Sequence, residues 1–153
     1  MNKRYILGID PGLATGWGLV DCEDPDTPLV LESLELTVEE FFDKIEQVFI
    51  TYRDDLVVVV ENFLITEKTG KLTQQPFSLW LIGVCMYFAW KYDVEMVLQK
   101  PAEKPFASND RLRAVNFWHV GGEGHANDAF RHIMVYYARK NPNWVRKLVM
   151  PSK

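Results

Sequence analysis

Cysteine is scarce in this chain of 153 residues, which has only Cys22 and Cys85. They lie far apart in apolar segments, without the spacing of a metal knuckle or redox pair. The expectation is two buried, reduced thiols in a cytoplasmic protein. A long hydrophobic run is missing too. The longest, Pro76 to Trp90, has 15 residues, short of the roughly 20 that span a bilayer. No membrane partner is expected. The basic start MNKRYILGIDPG has an apolar stretch too short for a secretory signal, and Asp10 interrupts it. Gly/Ser linkers, internal repeats and low-complexity tracts are absent, so the chain reads as one domain over 1–153. At 48% hydrophobic and 25% charged residues, disordered and fibrous architectures are excluded.

Net positive charge is also lacking. The formal total is −4, which on its own argues against a nucleic-acid partner. Its distribution argues the other way. Residues 1–98 hold 7 Lys/Arg against 17 Asp/Glu, whereas residues 99–153 hold 10 against 4. No acid follows Asp128, and a basic tail runs from about 140 to 153. Such asymmetry fits either a polyanion-facing side or a solvated basic helix face.

The apolar pattern orders the elements. Arg4–Asp10 is a short strand ending in a carboxylate, Pro11-Gly12 turns the chain, and Trp17–Cys22 resumes as a hairpin partner. LVLESLEL at 29–36 forms a third strand. Thr37 and Glu40 have capping-box form, opening a helix with Phe41, Ile45, Val48, Phe49 and Tyr52 on one face. LVVVV at 56–60 is the continuously apolar run of a strand covered on both faces, and it ends at Glu61. A polar loop over about 66–75 precedes an apolar helix over 77–92. A strand over 94–98, a small helix over 111–118 and a final helix over 125–139 complete the order. Three hairpin-linked strands followed by β/α alternation predict an α/β fold with a five-stranded mixed sheet flanked by helices.

Asp10 and Glu61 each close an apolar strand. If those strands are neighbours, both carboxylates emerge at one sheet edge. Asp128 lies in the final helix, with His125 three residues earlier on the same face. Three acids and an imidazole at that edge suit hard divalent cations. Taken singly, each residue also has an ordinary structural role: turn cap, strand terminus or helix N-terminal residue.

Together, GIDPGLATGWGL at 8–19, VVVENF at 58–63 and HANDAFRH at 125–132 resemble the motifs of RuvC-type Holliday junction resolvases. The likeness is nearest to the small bacteriophage-borne members of that ribonuclease-H-like group. It spans residues 8–132, nearly the whole chain. It implies a ribonuclease-H-like fold with catalytic, metal-binding acids at Asp10, Glu61 and Asp128. His125 falls where relatives carry a carboxylate or a histidine, and can ligate metal or act in proton transfer. His132 shares that face in a supporting place.

The implied activity is cleavage of four-way DNA junctions by paired nicks leaving 5′-phosphate and 3′-hydroxyl ends. The implied cofactor is two Mg²⁺ ions per site, with Mn²⁺ able to substitute. A homodimer is implied as well, in bacterial or phage-infected cytoplasm. The helix over 77–92, apolar nearly all round, independently asks for a partner on its outer face. That partner is either a second copy or the first helix together with the tail. Candidate DNA contacts are Phe63 as a junction wedge, with Lys68, Lys71, Lys100, Lys104, Arg111, Arg113, Arg139 and Lys140. Trp144 amid Arg146 and Lys147 completes a possible backbone grip. Two other classes stay open: a nuclease for flaps, forks or RNA–DNA hybrids, and a nucleotide-binding or non-catalytic partner protein.

Overall fold

A computed structural model describes residues 3–63 and 77–149. Strands β1 (Tyr5–Asp10), β2 (Thr15–Asp21) and β3 (Leu29–Leu36) form an antiparallel meander. Strands β4 (Leu56–Glu61) and β5 (Glu95–Gln99) continue the sheet in parallel beyond β1. The spatial order is β3-β2-β1-β4-β5. This is the mixed sheet that the strand pattern predicts.

Alternation along the strands divides the core in two. Leu7, Ile9, Trp17, Leu19, Val58 and Val60 face one layer, while Ile6, Val20, Val57 and Val59 face the other. The first face is covered by α1 (Val38–Tyr52) and α2 (Phe77–Tyr92). The second is covered by α3 (Asn109–Ala114), α4 (His125–Lys140) and α5 (Pro142–Val149). With helices on both sides, Leu56–Val60 is fully buried, as its unbroken apolar run demands.

Local signals set the element boundaries. The Thr37 hydroxyl accepts from the Glu40 amide, and the Glu40 carboxylate accepts from the Thr37 amide, closing the capping box of α1. The small helix starts two residues earlier than its sequence pattern suggests, because Ser108 caps it by accepting from Arg111 N. It also ends sooner, with Asn116 just beyond it at φ 61°. The tail differs more. Pro142 opens a further helix, a favoured first position, and Trp144 is 3% exposed. Its indole packs on Tyr137 and Phe117, at ring centroids 4.9 and 6.4 Å away. Trp144 is therefore a core residue and not an aromatic in a nucleic-acid grip; burying its large apolar surface is worth more than exposing it.

Two glycines decide how near α4 comes to the sheet. A Cβ on Gly16 would lie 1.8 Å from the His125 carbonyl oxygen, and one on Gly8 would lie 2.6 Å from that of Ala129. Without side chains there, the first turns of α4 lie directly on β1 and β2. Helix α2 meets α1 through Phe49, whose ring lies 5.9 Å from Phe88 and 6.4 Å from Tyr92. Its outer face leaves Leu79, Trp80, Met86, Tyr87 and Trp90 exposed. Helix α5 belongs to the opposite layer, so the described part of the tail, as far as Val149, does not cover that face. Both cysteines are free thiols, and burial raises Cys85 to a pKa of about 12. No described helix is long and apolar enough to cross a membrane.

Candidate active site

The site assembles where parallel strands end. β1 and β4 are paired in register through Ile9 and Val60, so Asp10 and Glu61 follow at the same edge. Glu61 in turn stands opposite Gln99 at the end of β5. Asp10, Glu61 and Gln99 share strand parity with Gly8, Val59 and Val97, and therefore face the α4 layer. Helix α4 brings His125 in its first turn, Asp128 one turn on and His132 a further turn on.

A cavity of about 480 Å³ opens over these groups, lined by Asp10, Glu61, Lys104, His125 and Asp128 together with the Pro11–Ala14 turn and Ser78. His125 Nδ1 lies 3.1 Å from Asp10 Oδ2. Lys104 Nζ bridges the other two acids, 2.8 Å from Glu61 Oε2 and 2.9 Å from Asp128 Oδ2. Arg131 holds the remaining oxygen of Asp128 at 2.9 Å and also bonds Asn109. On the sheet side, His132 Nε2 meets Glu61 Oε2 at 2.7 Å.

These contacts set the charge states. Burial pushes the Asp10 carboxyl up to about 6, and the nearby Glu61 charge adds to the rise. Burial acts on Glu61 in the same direction. There the His132 and Lys104 hydrogen bonds prevail and hold its pKa below the usual carboxylate range. The Lys104 ammonium, penalised by burial, is kept above its ordinary pKa by the two carboxylates it bridges. The cavity thus holds clustered negative charge around one cation.

The acids and histidine expected from the sequence are brought together here: Asp10, Glu61, His125 and Asp128. Lys104 stands among them, not on the surrounding surface. Of the other basic candidates, Lys100 is exposed just past β5. Arg111 donates to the Phe106 carbonyl at 2.6 Å, and Arg113 stacks 4.1 Å above Trp118. Arg139 is paired with Glu103 at 2.9 Å, and the Lys140 ammonium lies over the Tyr136 ring. Arg139 and Lys140 close α4, roughly 17 Å along the helix from Asp128 at 1.5 Å per residue. The fold therefore does not bring them to the carboxylates. Phe63 is half-buried and rests against the α1/α2 side of the core. Lys68 and Lys71 lie outside the described residues.

Sequence reasoning missed Glu35 as well as Gln99 and Arg131. Glu35, on β3, accepts from the backbone amides of Glu123, Gly124 and Ala126 at 2.9 to 3.3 Å. Although partial burial acts to raise its pKa, those amides hold it below the usual range. An anion on the positive end of α4 fixes the turn that presents His125 and Asp128. An alternating strand pattern carries no sign of this, since Glu35 reads as one more solvent-facing residue.

The residues suit hard divalent cations by their donor chemistry and by the stand-in cation they already hold. Carboxylate oxygens are the preferred donors for such ions, and Lys104 Nζ already draws Glu61 and Asp128 together. Among the described residues no three acids or imidazoles form a finished cage, and Lys104 stands between Glu61 and Asp128.

No protein-family model matches the chain, and no curated protein matches it. Solved structures do. Thermus thermophilus RuvC, solved in complex with a Holliday junction substrate, superposes at a TM-score of 0.66 with 15% identity. That match covers 89% of this chain and 94% of the other. The fowlpox virus Holliday junction resolvase gives 0.53 at 11% identity, covering 88% of this chain and 99% of that one. The fold is thus ribonuclease-H-like, a mixed five-stranded sheet between helical layers. Within that class it is the RuvC-type resolvase fold.

Proposed function

We propose that this chain is a Mg²⁺-dependent endonuclease that resolves four-way DNA junctions. It makes paired, symmetric nicks that leave 5′-phosphate and 3′-hydroxyl ends. The observation that carries the reading is the convergence of Asp10, Glu61 and Asp128 on one cavity, where a single ammonium group bridges Glu61 and Asp128, within a fold shared with junction resolvases.

Asp10, Glu61 and Asp128 would hold the ions, two per site, and Mn²⁺ would serve in place of Mg²⁺. Bound there, such ions supply Lewis-acid activation of water and of the scissile phosphate. The chain's own groups do the rest. Arg131 locks Asp128 in one orientation, and His125 holds Asp10 through Nδ1. Lys104, which bridges Glu61 and Asp128 here, would offer its ammonium to the phosphate once the ions held those carboxylates. Lys100, Arg111 and Arg113 extend the positive surface beside it for backbone contacts, which follow DNA shape and not sequence.

Lys104 thereby acquires two opposed roles. Lys104→Met is expected to tighten Mg²⁺ binding by about threefold to tenfold, since the ion no longer displaces an ion pair of about 1 kcal/mol. It is also expected to slow cleavage at saturating Mg²⁺. Titration calorimetry and single-turnover cleavage check the pair, and a tie in either direction would count against the double role.

We further propose that a second copy covers the outer face of α2. Five large apolar side chains stand exposed there along one helix, and a two-fold partner would present the same stripe. Trp80→Glu combined with Tyr87→Glu is expected to halve the mass seen by sedimentation. Paired nicks should then give way to independent single nicks.

The direct test incubates labelled four-way junctions, flaps, forks, RNA–DNA hybrids and plain duplex of matched sequence with the protein and Mg²⁺, beside an EDTA control. Symmetric nicks near the crossover, lost with EDTA, are the expected result. Better cleavage of flaps, forks or hybrids would move the substrate while keeping the site. Nucleotide binding without cleavage of any substrate would overturn the nuclease reading.

A further inference from the structure

Behind Glu61 lies a polar chain that ion coordination does not require. His132 is fully buried and Gln99 is 1% exposed. His132 Nε2 stands 2.7 Å from Glu61 Oε2, and its Nδ1 stands 2.8 Å from Gln99 Oε1. The Gln99 side-chain nitrogen is buried without a hydrogen-bond partner among the described residues. Burying a carboxamide with half its capacity unmet is costly, and leucine at that position would avoid the cost. A group kept at such expense, opposite Glu61 in the sheet register, calls for a reason beyond packing.

We infer that Gln99 and His132 form a buried positioning relay that orients the Glu61 carboxylate for cation binding. The inference rests on the cation-binding reading of the cavity given above. Glu61 Oε2 has two partners, Lys104 from the cavity and His132 behind it. An incoming ion competes with Lys104 for the carboxylate. It does not compete with His132, which is walled off behind Glu61. The imidazole is thus the partner that would remain if an ion drew Lys104 away, and it holds the carboxylate in one rotamer.

Gln99 secures the ring. Its Oε1 engages Nδ1 on one edge while Glu61 Oε2 engages Nε2 on the other, so the buried imidazole is pinned between two strand-borne partners and cannot swing away from the carboxylate. Without Gln99 the ring loses that second anchor, and its hold on the Glu61 carboxylate loosens. Partners of this kind, one bond behind a metal ligand, commonly alter metal affinity 10- to 100-fold when removed.

The test compares wild type, Gln99→Leu and His132→Phe for Mn²⁺ affinity by electron paramagnetic resonance without DNA. It then measures junction cleavage across a Mn²⁺ series and thermal unfolding. Gln99→Leu touches neither the cavity nor Lys104 and removes an unpartnered buried nitrogen, so it is the variant expected to keep its fold. The expected result is a Mn²⁺ Kd raised about tenfold in both variants. Cleavage by Gln99→Leu should return toward wild type at high Mn²⁺, with junction affinity unchanged. Variants that bind Mn²⁺ as tightly as wild type, or lose it only together with their unfolding transition, overturn the relay. A wild-type protein that binds no Mn²⁺ overturns the cation site itself, a separate and recognisable failure.

Discussion

Asp10→Asn is expected to reduce junction cleavage to the level of the EDTA control, to leave junction binding intact, and to raise the melting temperature of the metal-free protein. The first two effects follow from chemistry. Asparagine keeps a carbonyl oxygen of similar reach, but a neutral amide is a poor donor to a hard dication. Removing one negative charge does not repel DNA. Retained cleavage would remove Asp10 from the site.

The gain in stability is less obvious, and its sign follows from linkage. Burial and the Glu61 charge raise the Asp10 carboxyl from 3.8 to about 6 in the folded state. The folded protein therefore binds this proton more tightly than the unfolded chain does. Deprotonation penalises folding: the cost is absent below about pH 3.8, grows between 3.8 and 6, and is complete above 6. At 1.36 kcal/mol for each pH unit between those limits, the full penalty is about 3 kcal/mol. The asparagine amide replaces the protonated acid imperfectly in this buried place, leaving a net gain of about 1–2 kcal/mol at neutral pH. For a chain of this size that is roughly 2–8 °C. Melting curves of wild type and variant in EDTA should converge near pH 4 and diverge toward pH 7. Added Mg²⁺ should narrow the gap by stabilising wild type alone. A variant no more stable than wild type at pH 7 would mean that Asp10 carries no such strain.

How far the sequence speaks can be read from particular residues. Asp10 and Glu61 were legible because each ends an apolar strand, and strand parity with parallel pairing leaves no other edge for them. The capping box at Thr37 and the unbroken run at 56–60 are local signals with local consequences, and both fold as their chemistry dictates. Lys104 was visible only as a basic residue past the last strand. Its place between two carboxylates depends on a 3₁₀ turn over Pro101–Phe106, which no periodicity announces. Glu35 and Gln99 were invisible for a similar reason. Each takes its meaning from a backbone or ring brought up from residues more than 30 positions away. Trp144 misleads because basic neighbours and an aromatic describe a core-anchored amphipathic helix as well as a nucleic-acid grip. The depth of its burial belongs to the packed layer of Phe117 and Tyr137.

Gly16→Ala is the substitution expected to do most harm for its size. Gly16 pairs with Asp10 in the β1/β2 register, and the added methyl carbon would sit 1.8 Å from the His125 carbonyl oxygen and 2.3 Å from its carbon. Neither obstacle is a side chain that can swing away; both belong to the first turn of α4. Relief requires that end of the helix to retreat by about 1.5 Å to reach ordinary contact. The retreat carries His125 and Asp128 with it while Asp10 and Glu61 stay in the sheet. Overpacking of this kind costs about 1–3 kcal/mol, so a folded protein survives with a lower melting temperature. Cleavage should fall further than stability does, about 100-fold, because misplacement by about 1 Å is enough for that. If Gly16→Ala cleaved junctions at the wild-type rate, α4 would not need its close seat on β2, and the pairing of Asp128 with the strand-borne acids would lose its structural basis.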